Sequence, residues 1–264
     1  IEGSIEAKFL YATLLSWEML PFGYSRLRPV VLPIRERQNG YDFLFVFNRV
    51  KSHFIGIAKW LGNAQRDWDE RKTQKAEERF PYLTNRLNYN GLLSHQNPQM
   101  RYFVLYNATG TNITSCVIDK CLLPRFEVKG GLIRPRGFII DVKTWFLQTN
   151  EESEAHYLSA IFNSDIVNRL IKPLQPQGLF GARAIHRRPL LFPIPKFDSS
   201  NELHTELATL SRRCHEKVEA MDFPIKNNVK AKVKKEIALE LERINDIVRK
   251  LLNVDANVES GSSC

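Results

Sequence analysis

The run RYFVLYNATGTNITSCVID, residues 101–119, switches the hydrophobic period of the chain to two, and that switch decides the fold. Alternation along RYFVLYN and NITSCVID sends successive side chains to opposite faces, as a strand requires and a helix does not. The polar residues from Asn107 to Asn112 read as the turn between them. Two more β-rich runs follow, GFIID (137–141) and TWFLQ (144–148), set off by Lys129-Gly130-Gly131 and Arg136-Gly137. A sheet over 101–148 is expected.

Upstream, Phe9, Leu10, Leu14, Leu15 and Met19 predict a short amphipathic helix within 5–20, ending before Pro21. RPVVLPI (28–34) reads as a strand interrupted at Pro33. From about Tyr41 to Phe80 the pattern turns helical, and RDWDERKTQKAEER (66–79) has the interleaved charge of a solvated helix face.

Downstream, Thr149 and Glu152 suggest a capping box that opens a helix over EESEAHYLSAIF, with Ala155, Leu158, Ile161 and Phe162 on one side. SDIVNRLIK forms a second helix that stops at Pro173. Leu203, Leu207, Leu210, Cys214, Val218 and Met221 mark another helix, and Ile237, Leu241, Ile244, Val248 and Leu251 the next. Residues 222–228 join these two as an antiparallel hairpin. The expected class is α+β, with a central, mostly antiparallel or mixed sheet flanked by helices and closed by a C-terminal helical hairpin. The expected division is an α+β domain over 1–200, the hairpin over 201–253 and a flexible tail over 254–264.

At 264 residues and 43% hydrophobic, the chain can bury a substantial core. Its 38 Lys+Arg against 29 Asp+Glu give +9, which favours a polyanionic partner. Cys116, Cys121, Cys214 and Cys264 match no disulfide framework, and no second Cys/His pair completes a zinc site, so reduced thiols and no metal are expected. No apolar run approaches membrane length and no signal peptide is present, so the expected compartment is cytoplasmic and no membrane partner is expected. A start at Ile1 suggests a piece of a longer protein.

A P-loop, a strand-turn-helix GxGxxG, HEXXH, a nucleophile elbow and a deaminase signature are all missing. The Asn-Pro-Gln-Met tetrapeptide at 97–100 lacks the aromatic that would stack on a flipped base. One enzymatic alternative stands. Asp141 and Lys143, two apart on an expected strand, with Asp119 at the end of another, would suit an Mg²⁺-dependent nuclease. A second alternative is a protein-interaction fragment that uses the C-terminal hairpin.

Two basic segments point elsewhere. From Ile166 to Phe197 there is no acidic residue, while Arg169, Lys172, Arg183, Arg187, Arg188 and Lys196 are basic. Within it, Gly178 and Gly181 let a ligand approach the backbone, and arginine offers a planar fork for phosphate or guanine. Ile185, Leu190 and Leu191 show that part of the segment packs. The second cluster is Lys120, Arg125, Lys129, Arg134 and Arg136, opposed by Glu127 alone, in and around the loop KGGLIRPRG. The candidate DNA-contacting residues are therefore Lys129, Arg134, Arg136, Gly178, Gly181, Arg183, His186, Arg187 and Arg188. His186 is either a neutral hydrogen-bonding group for the duplex or a packed core histidine. The expected arrangement is one cationic cradle built from both loops.

YNATGTNITSCVID (106–119), GFIIDVKTWFLQT (137–149), EAHYLSAIFNSDIVN (154–168) and GLFGARAIHRRPLLFPIPKFD (178–198) resemble the C-terminal part of N6-adenine DNA methyltransferases. The similar members belong to type II and combined restriction–modification systems, and the likeness runs from about Phe22 to Phe197. It implies a target-recognition region that binds double-stranded DNA. The family's glycine-rich S-adenosylmethionine turn and its Asn-Pro-Pro-aromatic motif are not in this sequence. The resemblance therefore implies that the chain is not catalytic alone. S-adenosylmethionine and methyl transfer would belong to a catalytic domain or subunit outside it.

Overall fold

The computed structural model describes residues 3–44, 54–176, 184–222 and 228–254. In chain order the strands begin with β1 (Leu10–Thr13), β2 (Met19–Leu20), β3 (Gly23–Tyr24), β4 (Arg28–Val31), β5 (Ile34–Arg37) and β6 (Gly40–Phe43). Helices α1 (Ile55–Arg71), α2 (Gln74–Arg79) and α3 (Leu83–Leu87) follow. Then come β7 (Tyr102–Asn107), β8 (Ser115–Asp119), β9 (Phe126–Val128), β10 (Gly131–Ile133) and β11 (Thr144–Thr149). The chain continues through α4 (Glu152–Asn163), α5 (Asp165–Ile171), α6 (Glu202–Glu219), α7 (Val229–Glu236) and α8 (Ala238–Leu251). The class is α+β with antiparallel pairing between the named strands, as expected. No helix among the described residues is long and apolar enough to cross a membrane.

The chain forms two compact units. One comprises Ile1–Leu14, Leu27–Met100 and Lys120–Val142, and the other Leu15–Arg26, Arg101–Asp119 and Lys143–Cys264. The first unit contains three antiparallel ribbons, β1–β4, β5–β6 and β9–β10, with α1, α2 and α3. Residues 5–20 do not make the expected helix. A short 3-10 turn, Ala7–Phe9, leads into β1, and the part of 5–20 that lies in the second unit forms a second 3-10 turn and β2. Phe9, Leu10, Tyr11 and Ala12 are all buried in succession, the signature of a strand covered on both sides rather than a helix with one apolar stripe. GFIID is also corrected, because it forms no strand of the 101–148 sheet. Ala12 N–H donates to Gly137 O (2.8 Å) and Ile139 N–H to Ala12 O (2.8 Å), so the run lies beside β1.

The second unit is built on the antiparallel sheet β11-β7-β8. Every residue of β7 is buried, and Tyr102, Val104 and Tyr106 on one of its faces share a core with Ala155 and Phe162 of α4 and Leu207 of α6. The helices beyond residue 200 thus belong to the same core as the sheet, across the expected boundary. The second helix of the expected hairpin is broken at buried Ile237 (φ −103°, ψ 17°), which separates α7 from α8. Arg243 pairs with Glu206 (2.6 Å) and buried Glu240 with Lys217 (2.9 Å), so contacts descend α6 as they ascend α8 and the two run antiparallel. The Thr149–Glu152 box does not form. Thr149 bonds Glu154 and the Glu151 N–H instead, and Glu151 is the N-cap of α4.

Strand β8 lies at the edge of this sheet, and its outward N–H groups would be orphaned if buried bare. Three helices meet them. Ser115 N–H donates to Asn163 Oδ1 (2.9 Å) at the end of α4, and Asn163 Nδ2 donates back to Ser115 O (2.8 Å). Just before the strand, Ile113 N–H donates to Asn168 Oδ1 (2.6 Å) on α5, and within it Val117 N–H donates to His215 Nε2 (3.0 Å) on α6. His215 Nδ1 faces Ser211 O at 2.8 Å, so the proton must sit on Nδ1 and the Nε2 lone pair faces Val117.

Burial pulls His215 down to about 3 and His156, whose ring lies 4.8 Å from it, down to about 4. Glu152 reaches His156 only at 4.0 Å while it holds Arg212 at 3.0 Å, so it does not restore the charge. Both folded values lie below the unfolded value near 6.5. Their stabilisation is therefore complete above about pH 6.5 and is lost as pH falls toward 4. Chemical denaturation should show stability falling by roughly 2–3 kcal/mol per pH unit below about pH 6, with two imidazoles each contributing about 1.4 kcal/mol. An unfolding free energy unchanged between pH 7 and 5 would refute this. Asn163→Ala should cost ~1–3 kcal/mol at pH 7 by the same measurement, because the Ser115 N–H loses its acceptor while Ser115 O keeps the Phe22 N–H (2.9 Å).

Candidate nucleic-acid interface

In the second unit, the β7–β8 turn is organised by one amide. Asn107 Nδ2 donates to Thr109 O (2.9 Å) and Asn112 O (3.1 Å), and its Oδ1 accepts from Thr114 N–H (2.7 Å). Gly110 has φ 149°, and a Cβ there would stand 2.6 Å from Asn107 Nδ2, so the turn requires glycine. The basic segment docks on this turn. Ile185 and His186 N–H groups both donate to Ala108 O at 3.0 Å, Ala184 bridges Thr109, and the Ile185 side chain is fully buried. Tyr106 Oη donates to His186 O (3.0 Å).

The predicted contact residues of this segment differ in what they touch. His186 adopts φ 44°, a left-handed conformation that histidine tolerates better than most residues, and its side chain is exposed rather than packed in the core. Arg187 is exposed, and its guanidinium lies over the Trp145 ring at 5.1 Å. Arg188 turns back on its own loop. Its Nε donates to Leu174 O, and its Nη1 to Ala184 O (3.0 Å) and Ile185 O (3.5 Å). Those carbonyls precede the 3-10 turn Arg188–Leu191, which Pro189 favours near its start. Gly178, Gly181 and Arg183 lie outside the described residues.

The first unit carries the other cluster. Lys129 is exposed at the turn between β9 and β10. Arg134 is exposed and donates to Cys121 O (2.5 Å), and Lys120 Nζ donates to Pro98 O. Arg136 pairs with Glu36 (3.2 Å), a carboxylate a hundred positions away, so its charge is partly answered within the fold. That pair lines a cavity of about 510 Å³ with Lys8, Arg35 and the rings of Phe9, Tyr11 and Phe54. Lys8 Nζ sits 3.4 Å from the Phe54 centroid, a cation–π contact. Burial pushes the Tyr11 hydroxyl up to about 12. The basic loops at 129–136 and 184–188 belong to different units.

The nuclease constellation is not assembled as the sequence suggested. Lys143 falls in the turn before β11 and Asp141 precedes it, so the two do not share a strand face. Asp119 ends β8 and is held by Arg101 through Nε (3.1 Å) and Nη2 (2.8 Å). Among the described residues no group of three or more His, Cys, Asp or Glu side chains could hold a metal ion. Cys116, Cys121 and Cys214 are free thiols, the first and last buried.

Trp145, Tyr106 and Asn107 escaped the sequence reading. The period-two pattern placed them on strands, but nothing in their spacing says that one lies under an arginine and two hold a loop. No protein-family profile matches the chain, and no curated protein matches it significantly.

Arg187 and Arg188, adjacent in sequence, should separate experimentally. Arg188→Ala should lower stability by about 1–3 kcal/mol, since three backbone carbonyls lose a charged donor. Arg187→Ala should leave stability within about 0.5 kcal/mol. Equal effects of the two substitutions in thermal or chemical unfolding would contradict the assignment.

Proposed function

We propose that the chain is the DNA-binding target-recognition region of a site-specific DNA (adenine-N6) methyltransferase of a restriction–modification system. Methylating one adenine in a defined sequence requires that base to be flipped into a catalytic pocket while other groups read its neighbours. This chain supplies the reader. S-adenosylmethionine and the adenine pocket belong to a catalytic domain or subunit that works with it. The four stretches of family likeness and the net charge of +9 support the reading.

The observation that carries it is Arg187, an exposed guanidinium 5.1 Å over the Trp145 ring in a loop whose backbone is tied to the sheet. A cation–π contact uses the ring face and none of the guanidinium's N–H hydrogen bonds, so these can serve phosphate or guanine O6 and N7. A loop already tied down loses little entropy when the duplex arrives. Phosphate contacts set register and base contacts set specificity, and an arginine beside the exposed His186 and the polar β7–β8 turn suits either role.

Fluorescence anisotropy with duplex oligonucleotides tests the proposal. If six to eight phosphates are neutralised, log K should fall against log salt with a slope of about −5 to −7. Arg187→Ala should weaken binding by ~1–3 kcal/mol if it reads a base, or reduce the slope by about 1 if it meets a phosphate. Affinity that barely responds to salt would reject the proposal.

A further inference from the structure

The β9–β10 ribbon has two chemically different faces. Its register pairs Leu132 with Glu127, and Gly131 and Ile133 with Val128 and Phe126. Residues directly opposite on an antiparallel pair project to the same side. Phe126, Val128 and Ile133 are half-buried, so their face is turned toward protein. Glu127 and Leu132 share the opposite face and both are exposed, Leu132 at 66%. An exposed leucine beside the single acid of a basic cluster is an odd composition for a merely solvated surface.

The surroundings of that face carry positive charge. Exposed Lys129 stands at the tip, and exposed Arg125 and Arg134 flank the open end of the ladder. The tip is also bare. A Cβ added at Gly130 or Gly131 would meet nothing within 4 Å, and Gly131 has φ 114°, which favours glycine. Two strands about 4.8 Å apart, with short side chains at their turn, fit a DNA major groove about 12 Å wide. Three paired residues rising about 3.4 Å each span roughly two to three base-pair steps.

We infer that the Glu127–Leu132 face of this ribbon enters the DNA major groove and reads two base edges there, while Lys129 and Arg125 hold the flanking phosphates. Leu132 packs on a thymine C5 methyl, the apolar group that distinguishes that groove edge. Glu127 accepts a hydrogen bond from the N4 amino group of cytosine, which, unlike the adenine N6 amino group, has no acceptor beside it on its base to repel a carboxylate. The cations lower the cost of bringing an acid close to the duplex, and the acid supplies a requirement that cations alone cannot impose. The inference rests on the DNA-recognition reading and adds to it the element and the base chemistry.

The test is selection of bound sequences from a randomised duplex library by the full chain, followed by anisotropy on the selected duplex. On charge alone, Glu127→Ala should tighten binding to every sequence alike. The inference requires the reverse pattern, a preference for cytosine at one position that drops about 10-fold while binding to unselected DNA holds or strengthens. Leu132→Ala should relax a thymine position in the same way. Gly130→Leu, placed in open space, should keep the unfolding transition of the parent chain yet lose most of the selected binding. If the parent selects a sequence but Glu127→Ala keeps that sequence unchanged, the ribbon inference falls and the recognition function stands. If the parent binds no duplex at all, both fall.

Discussion

Strand β8 is closed on its outer side by side chains rather than by another strand. Asn163, Asn168 and His215, one each from α4, α5 and α6, meet the N–H groups of Ser115, Ile113 and Val117. A buried N–H without a partner costs a substantial fraction of a domain's net stability, so this closure constrains everything packed around it. It ties the register of the sheet to the placement of three helices. The carboxamide of Asn163 both accepts from and donates to Ser115, as a neighbouring strand would, and the imidazole of His215 must stay neutral to accept at all.

The same strand pair carries the basic loop at 184–188. The turn that joins β7 to β8 is shaped by Asn107, and on it rest Ile185 and His186 by backbone bonds to Ala108. Trp145 of the neighbouring β11 contributes its ring to Arg187 while also packing against the core. A guanidinium on a long side chain is thereby held by elements that cannot shift without disturbing the sheet. Positioning from a rigid scaffold is what a group that reads a base needs. Arg188 takes no part in that presentation and instead stitches the loop's carbonyls together.

Much of the architecture was legible where one physical signal dominated. Period-two alternation in 101–107 and 112–119, and apolar steps of three and four through Leu207, Cys214, Ile244 and Val248, each admit a single local structure. Residues 5–20 misled because Phe9, Leu10, Leu14 and Leu15 fit a helical stripe as well as a strand buried on both faces, and only the partners, β4 and residues 137–139, decide. Asp141 and Lys143 misled because a D-x-K spacing implies a shared face only if the run is a strand. In the candidate site, sequence located the basic loops but could not distinguish Arg187, Arg188 and Arg136. Their difference lies in what each guanidinium meets, a tryptophan, three carbonyls and Glu36. The edge-capping asparagines sit in or beside helices that the sequence pattern anticipated, but their chemistry emerged only when the strand they serve was in place.

The polypeptide weaves between its two compact units, so neither is an uninterrupted segment of the gene product. No cut at a single peptide bond separates the two units. Recombination cannot therefore transplant either unit as a cassette by a single crossover on each side. Single loops and ribbons remain open to point changes, whereas either unit moves whole only with the entire interleaved block.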